Sequence, residues 1–169
     1  IIYVIRDPRD VCVSWANHSD RNYDESVDFM INELQSIFWK EGSEQLFEDN
    51  KRPASLLSSW DKHVMSWTSN IWGLPFLIIK FEDMVYNKEE TIIKIVKFFS
   101  DNYGFKFKNL KEKILNILKT TSFINLKNEE LKNGFSEAPE GKKFFTSGEK
   151  NQWLKKLNNT QISRLEDKF

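Results

Sequence analysis

One cysteine, Cys12, excludes a disulfide within the chain. Only two histidines, His18 and His63, accompany it, so a zinc site is not expected. Net charge is missing too: 25 basic residues balance 25 acidic ones, leaving no overall field to recruit nucleic acid or an anionic membrane surface. Charge interrupts every apolar stretch within a few residues, so neither a membrane span nor a signal peptide is expected. A reducing, cytoplasmic setting fits this composition. Strands are scarce as well, with two strong candidates, residues 1–6 and 76–81. Two strands do not make an independent α/β sheet, and the expectation is therefore a carboxyl-terminal part of a larger domain. What the chain has in quantity is aromatic: fourteen Phe, six Trp and four Tyr in 169 residues predict an aromatic core within a single domain.

Residues 1–14 organise the rest. Ile1 to Arg6 form a β-branched and aromatic run suited to a parallel strand covered on both faces. Asp7 can cap a helix, Pro8 fits its first position, and Asp10 falls where a capping box wants an acid. The unit is strand, tight turn, helix. In open α/β sheets ligands bind at the carboxyl end of such a strand. Arg6 offers a fork of N–H donors matched to phosphate there, and Ser14 adds a hydroxyl two turns into the helix. The plainer reading pairs Arg6 with Asp10 or Asp83 and leaves Ser14 as an ordinary surface residue.

Further along, residues 17–23 read as a polar loop, and Asp24 can cap a second helix running to about Lys40, with Phe29, Ile31, Leu34, Ile37 and Phe38 on one face. Residues 42–53 read as loop with a short helix, where a lid over an acceptor could sit. Residues 54–71 predict a helix whose Trp60, Val64, Trp67 and Ile71 form a core-packing stripe, with His63 as a structural histidine beside it. The second strand, 76–81, ends at Glu82-Asp83-Met84. Asn87 with Glu90, and Asn109 with Glu112, start two more helices, and Gly104 closes the first of them. This alternation is the α/β signature. Periodicity fades over 120–148, where Asn133-Gly134 and Pro139-Glu140-Gly141 mark turns. Thr121-Ser122-Phe123 sets hydroxyls beside a ring, a plausible contact for a base. In Phe144-Phe145-Thr146-Ser147-Gly148, backbone N–H groups could approach an anion. Trp153 is expected to anchor this segment, and a last helix starts near Asn159.

Five of these segments, in order, resemble the cytosolic-type sulfotransferases, which move a sulfuryl group from 3′-phosphoadenosine 5′-phosphosulfate (PAPS) to an acceptor. Residues 5–14 look like the family's R-[DN]-x-[RK]-D-V-x-V-S segment, with the same spacing from Arg6 to Ser14. Ser59, Trp60, His63, Val64 and Trp67 are similar to its G-S-W-x-x-H-V-x-x-W helix, and Phe81-Glu82-Asp83-Met84 to its Y-E-D-M strand end. Thr121-Ser122-Phe123 matches its T-S-F element. Phe145 through Trp153 lines up with F-R-K-G-x-x-G-D-W, although Thr146 stands where the family has a phosphate-binding Arg.

The resemblance implies an α/β, P-loop-like three-layer fold with a parallel sheet. By it, residues 1–169 are the C-terminal portion of one sulfotransferase domain, with the N-terminal strands, the 5′-phosphosulfate loop and the histidine base lying upstream. The chain alone would then be inactive, and no catalytic residue is assigned within it. Arg6 and Ser14 are implied to hold the 3′-phosphate, joined by the backbone of Ser147 and Gly148 and by the Thr146 position. Thr121 and Phe123 are implied to lie near adenine, and Phe81 keeps a stacking role without the hydroxyl of the family's Tyr. The donor would be PAPS and the product 3′-phosphoadenosine 5′-phosphate (PAP), with no metal, and the acceptor a small molecule bearing a hydroxyl or amine. Self-association as a homodimer would use the segment from Lys156 to Leu165, in which Gln161 and Leu165 stand where the family has Val and Glu. Two alternatives share the layered architecture: a PAP-binding module without turnover, and a P-loop nucleotide kinase relative.

Overall fold

The computed structural model describes residues 1–34, 36–38, 54–136, 138 and 141–169. Its organising pair is parallel. Strand β1 (Ile2–Ile5) lies beside β4 (Leu77–Lys80), with Ile2 opposite Leu77 and Ile5 opposite Lys80. Two parallel strands need a long crossover, and here it contains helix α1 (Pro8–Ser19), α2 (Tyr23–Ile31), strands β2 (Ser36–Phe38) and β3 (Ala54–Leu56), and α3 (Trp60–Thr68). After β4 come α4 (Phe81–Tyr86), α5 (Lys88–Tyr103), α6 (Leu110–Thr120), α7 (Phe123–Asn133), a 3₁₀ turn (Gln152–Lys155) and α8 (Asn159–Lys168). Helices flanking a small parallel sheet make this an α/β fold, as the alternation of patterns predicts.

Several boundaries follow from chemistry the patterns did not separate. Asn22, not Asp24, caps α2: its side chain accepts the Glu25 N–H while Glu25 reaches back to the Asn22 N–H. The helix stops at Ile31 instead of running to Lys40, and residues 36–38 pair antiparallel with 54–56. The expected helix over 54–71 is accordingly confined to Trp60–Thr68. Short apolar runs suit helix and strand alike, and the partner strand decided between them. The stretch 42–53, read as loop, lies outside the described residues, as do Pro139 and Glu140. Residues 120–148 are less irregular than their pattern suggests, because Ser122 caps α7 by accepting the Asn125 N–H.

The centre of the core is aliphatic rather than aromatic. Cys12, Val13, Val27, Met30, Leu157 and Leu165 are buried together where α1, α2 and α8 meet, with Trp60, Trp153, Tyr23 and Phe169 packed half-buried around them. Large rings cover this nucleus more readily than they fit inside it. The stripe on α3 departs from expectation in the same way: Trp67 is 47% exposed, and Ile71 lies past the helix at 73%. Nor is β1 covered on both faces. Helix α3 meets its Tyr3 side, where the Trp67 ring stacks at 6.5 Å, while Ile2 and Val4 are exposed. The α8 segment that resembles a dimer contact packs inward, with Leu165 1% exposed and the Gln161 amide donating to Asp24.

Leu165 closes this nucleus, so L165A is expected to lower unfolding free energy by about 2–5 kcal/mol, read from the urea midpoint. A loss within about 0.5 kcal/mol would show that α8 does not complete the core.

Candidate functional site

Parallel pairing determines the site's first contact. Ile5 sits beside Lys80, so the next residues, Arg6 and Phe81, emerge side by side at the carboxyl ends of their strands. The Arg6 guanidinium lies over the Phe81 ring, its Cζ 4.3 Å from the centroid. One terminal nitrogen donates to the Glu149 carbonyl at 3.3 Å. Asp10 stands 4.0 Å away, and the Arg6 Nε is buried without a partner among the described residues. Burial pushes the guanidinium's pKa down, and the charges of Asp10, Glu82 and Asp7 oppose that shift. Arg6 is thus a partly desolvated guanidinium with one donor unpaired among the described residues. Of the two pairings the plainer reading offered, Asp10 lies nearby, while Asp83 accepts from the Asn87 amide instead.

Asp10 cannot satisfy Arg6 alone because its oxygens are already engaged. The carboxylate, 1% exposed, accepts the Asn151 N–H at 2.8 Å on Oδ2 and the Trp153 N–H at 3.2 Å on Oδ1. The capping box expected at the start of α1 is thus not formed. Asp7 caps the helix by accepting the Arg9 N–H, and its own N–H donates to Glu82 at 3.4 Å. Arg9 is held by Asp7 and Glu166 and lies over the Trp153 ring at 3.9 Å, giving the ring the anchoring role expected of it.

These contacts bring residues 147–153 against the strand ends. Glu149 meets Arg6 through its carbonyl, and the Lys150 N–H donates to the Tyr86 hydroxyl at 3.3 Å. Gly148, at φ +63°, lies against Phe123: a Cβ there would stand 2.6 Å from the ring. Phe123 also meets Phe145 edge-on at 6.4 Å. The Ser147 and Gly148 N–H groups donate to no described residue. Phe144 and Phe145 are different, since both of their N–H groups donate to Glu130 and are closed to an anion.

Arg6, Phe81, Ser147, Gly148 and Phe123 therefore form a connected set. Ser14 is exposed on α1 and makes no side-chain hydrogen bond to a described residue, and Thr146 is likewise exposed. Thr121 ends α6, where its hydroxyl donates to the Ile117 carbonyl at 2.7 Å and its carbonyl accepts from Lys88. The sequence reading did not single out Asp10 as a loop anchor, nor Glu130, Tyr86 or Lys88. Each binds a backbone group distant in the chain, which leaves no local pattern to read. Among the described residues no cluster of His, Cys, Asp or Glu could hold a metal ion, and no helix is long and apolar enough to cross a membrane.

A family model described as "Sulfotransferase domain" matches residues 1–169. The mouse protein named Sulfotransferase 2A6 is 31% identical over 139 residues, which cover 79% of this chain and 40% of the relative. The rabbit Amine sulfotransferase is 26% identical over 127 residues, 75% of this chain and 36% of the relative. Among solved structures, a mouse sulfotransferase complexed with PAP superposes with a TM-score of 0.67 at 18% identity, covering 99% of this chain and 56% of its own. The chain thus spans about two fifths of the length of the curated relatives it matches.

The buried Asp10 network predicts that D10N, which leaves one acceptor where two N–H donors converge, loses about 1–3 kcal/mol of stability in thermal unfolding. Wild-type stability in D10N would show that the clamp is not made. Asp7 gives a second expectation. Burial raises its pKa, but the hydrogen bonds from Arg9 outweigh this and hold the carboxyl below its ordinary value. Its stabilising effect is then present above about pH 4 and lost as pH falls through the lower native value. The stability difference between the wild type and D7N should shrink on acidification below pH ~4, measured by urea unfolding across that range.

Proposed function

The chain belongs to the sulfotransferase-domain family, and from that membership we propose that the protein transfers a sulfuryl group from PAPS to the hydroxyl or amine of a small-molecule acceptor. In this proposal residues 1–169, as the C-terminal portion of one sulfotransferase domain, supply the nucleotide's 3′-phosphate and adenine contacts. The observation that carries it is Arg6, a desolvated guanidinium at the carboxyl end of a parallel strand whose Nε lacks a partner among the described residues. A phosphate would answer its charge through the terminal nitrogens, Nε itself being buried. PAP in the superposed relative is consistent with that choice of ligand.

The other residues fit a nucleotide in complementary ways. Phe81 supports the guanidinium, whose Cζ lies 4.3 Å from the ring centroid, and so restricts the positions the Arg6 head group can take. Gly148 has no side chain to displace Phe123, and the N–H groups of Ser147 and Gly148, which donate to no described residue, offer neutral donors to the same phosphate. The Ser14 hydroxyl is proposed as a further donor from α1. Phe123 gives the adenine an apolar ring face, with Thr121 beside it at the end of α6. Thr146 contributes no charge where the family has Arg, and this leaves the phosphate more dependent on Arg6. Bound PAPS supplies an activated sulfuryl group; its transfer to the acceptor oxygen or nitrogen releases PAP, while a base takes the acceptor's proton.

Calorimetry with PAP and adenosine 5′-monophosphate tests the phosphate assignment. The protein is expected to prefer PAP, and R6A to weaken PAP binding by about 10- to 150-fold, matching the loss of a charge-assisted contact, with little change for the monophosphate. Equal affinity of the unaltered protein for the two nucleotides would overturn the assignment. Preference for PAP without turnover of PAPS, across acceptors bearing hydroxyls and amines, would indicate a binding module instead of an enzyme.

A further inference from the structure

Glu130 is a buried acid that the proposed nucleotide contacts do not use. It projects from the last turns of α7, 8% exposed, and both of its oxygens point to work already done. Oε1 accepts the Phe144 N–H, and Oε2 accepts the Phe145 N–H at 3.0 Å. Two adjacent backbone donors on one carboxylate hold the chain in a fixed direction, since both bonds must be aligned at once. Phe135 packs against both rings, at 4.7 Å from Phe144 and 5.4 Å from Phe145, which adds an apolar contact to the two hydrogen bonds.

The consequence lies immediately downstream. Thr146 turns back through its N–H onto the Phe144 carbonyl at 3.0 Å, and Ser147 and Gly148 follow with N–H groups that donate to no described residue. Asp10 grips Asn151 and Trp153 on the far side. We infer that Glu130 is a positioning residue which, with Asp10 at the other end, fixes the turn of residues 146–150 between two buried carboxylates and so pre-orients the Ser147 and Gly148 N–H groups toward the 3′-phosphate of a bound nucleotide. This rests on the phosphate site proposed above. A segment held at both ends would present backbone donors without the ordering cost a loose loop would meet on binding, which would offset the missing charge at Thr146.

The isosteric variant E130Q separates positioning from folding. Its amide keeps one acceptor and turns a donor toward an N–H, so one clamp bond is lost without a change in volume. In the full protein, E130Q is expected to lose about 10-fold in PAP affinity while adenosine 5′-monophosphate, which lacks the 3′-phosphate, binds within about twofold of wild type. If the unaltered protein prefers PAP and E130Q prefers it equally, the role of Glu130 is overturned and the phosphate site stands. If the unaltered protein shows no preference, the phosphate site falls and this inference with it. Should E130Q fail to fold, amide hydrogen exchange of the unaltered protein decides: protected Phe144 and Phe145 amides support the clamp, and exchange at loop rates overturns it.

Discussion

The Asp10 carboxylate is the interaction on which the arrangement most depends. It stands in the first turn of α1, almost fully buried, and accepts the backbone N–H groups of two residues more than 140 positions away. A carboxylate can be buried only if its lone pairs are taken up, and here the N–H groups of Asn151 and Trp153 and the nearby Arg6 cation share that task. The same contact therefore stabilises the acid, closes the 3₁₀ turn against α1 and brings the preceding loop to the strand ends. Trp153, fastened at its N–H, then receives the Arg9 guanidinium on its ring.

Because Asp10 is engaged by the loop, Arg6 is left with less compensation than a buried guanidinium ordinarily has. Among the described residues it meets one carbonyl, one ring and the Asp10 carboxylate at the limit of ion pairing, with the charges of Glu82 and Asp7 acting from further off. That imbalance is the physical basis of the proposed phosphate site: an anion there would complete the bonding of a cation already held in place. Backbone donors on a segment anchored at both ends would share the load. In that proposal, Thr146 in place of the family's Arg shifts the binding energy onto Arg6 and the backbone donors.

Much of the fold was legible because local chemistry and global packing agree in the first strand, turn and helix. Ile2 through Ile5 form the strand, Pro8 opens the helix, and Asp7 caps it. Gly104 ends α5 in the left-handed conformation that its lack of a Cβ allows. The last helix begins at Asn159 as its pattern predicts, with Asn158 and Gln161 completing a capping box. Legibility failed where short apolar runs had to choose a partner. Ser36–Phe38 and Ala54–Leu56 became a strand pair, and Phe123–Asn133 became a helix although its apolar spacing is thin. Trp67 and Ile71 carried a helical stripe, but Trp67 meets Tyr3 at ring-stacking distance and His63 edgewise and stays half exposed, and Ile71 lies beyond the helix, so periodicity overstated their burial.

The sequence by itself determined the strand–turn–helix unit, the order of the family's segments and the candidate residues Arg6, Ser14, Phe81, Thr121, Phe123, Thr146, Ser147 and Gly148. The first is a property of neighbours along the chain, set by φ/ψ preference and capping chemistry, whereas the candidate residues and their order are what the resemblance of the segments to the family implies. Tertiary structure alone decided what these residues meet. It put Arg6 over Phe81 through the parallel register, diverted Asp10 from its expected cap to the 151–153 backbone, and assigned Glu130 to Phe144 and Phe145. The reason is that a buried carboxylate must find donors wherever the fold supplies them, and the sequence around it carries no mark of where those donors will be.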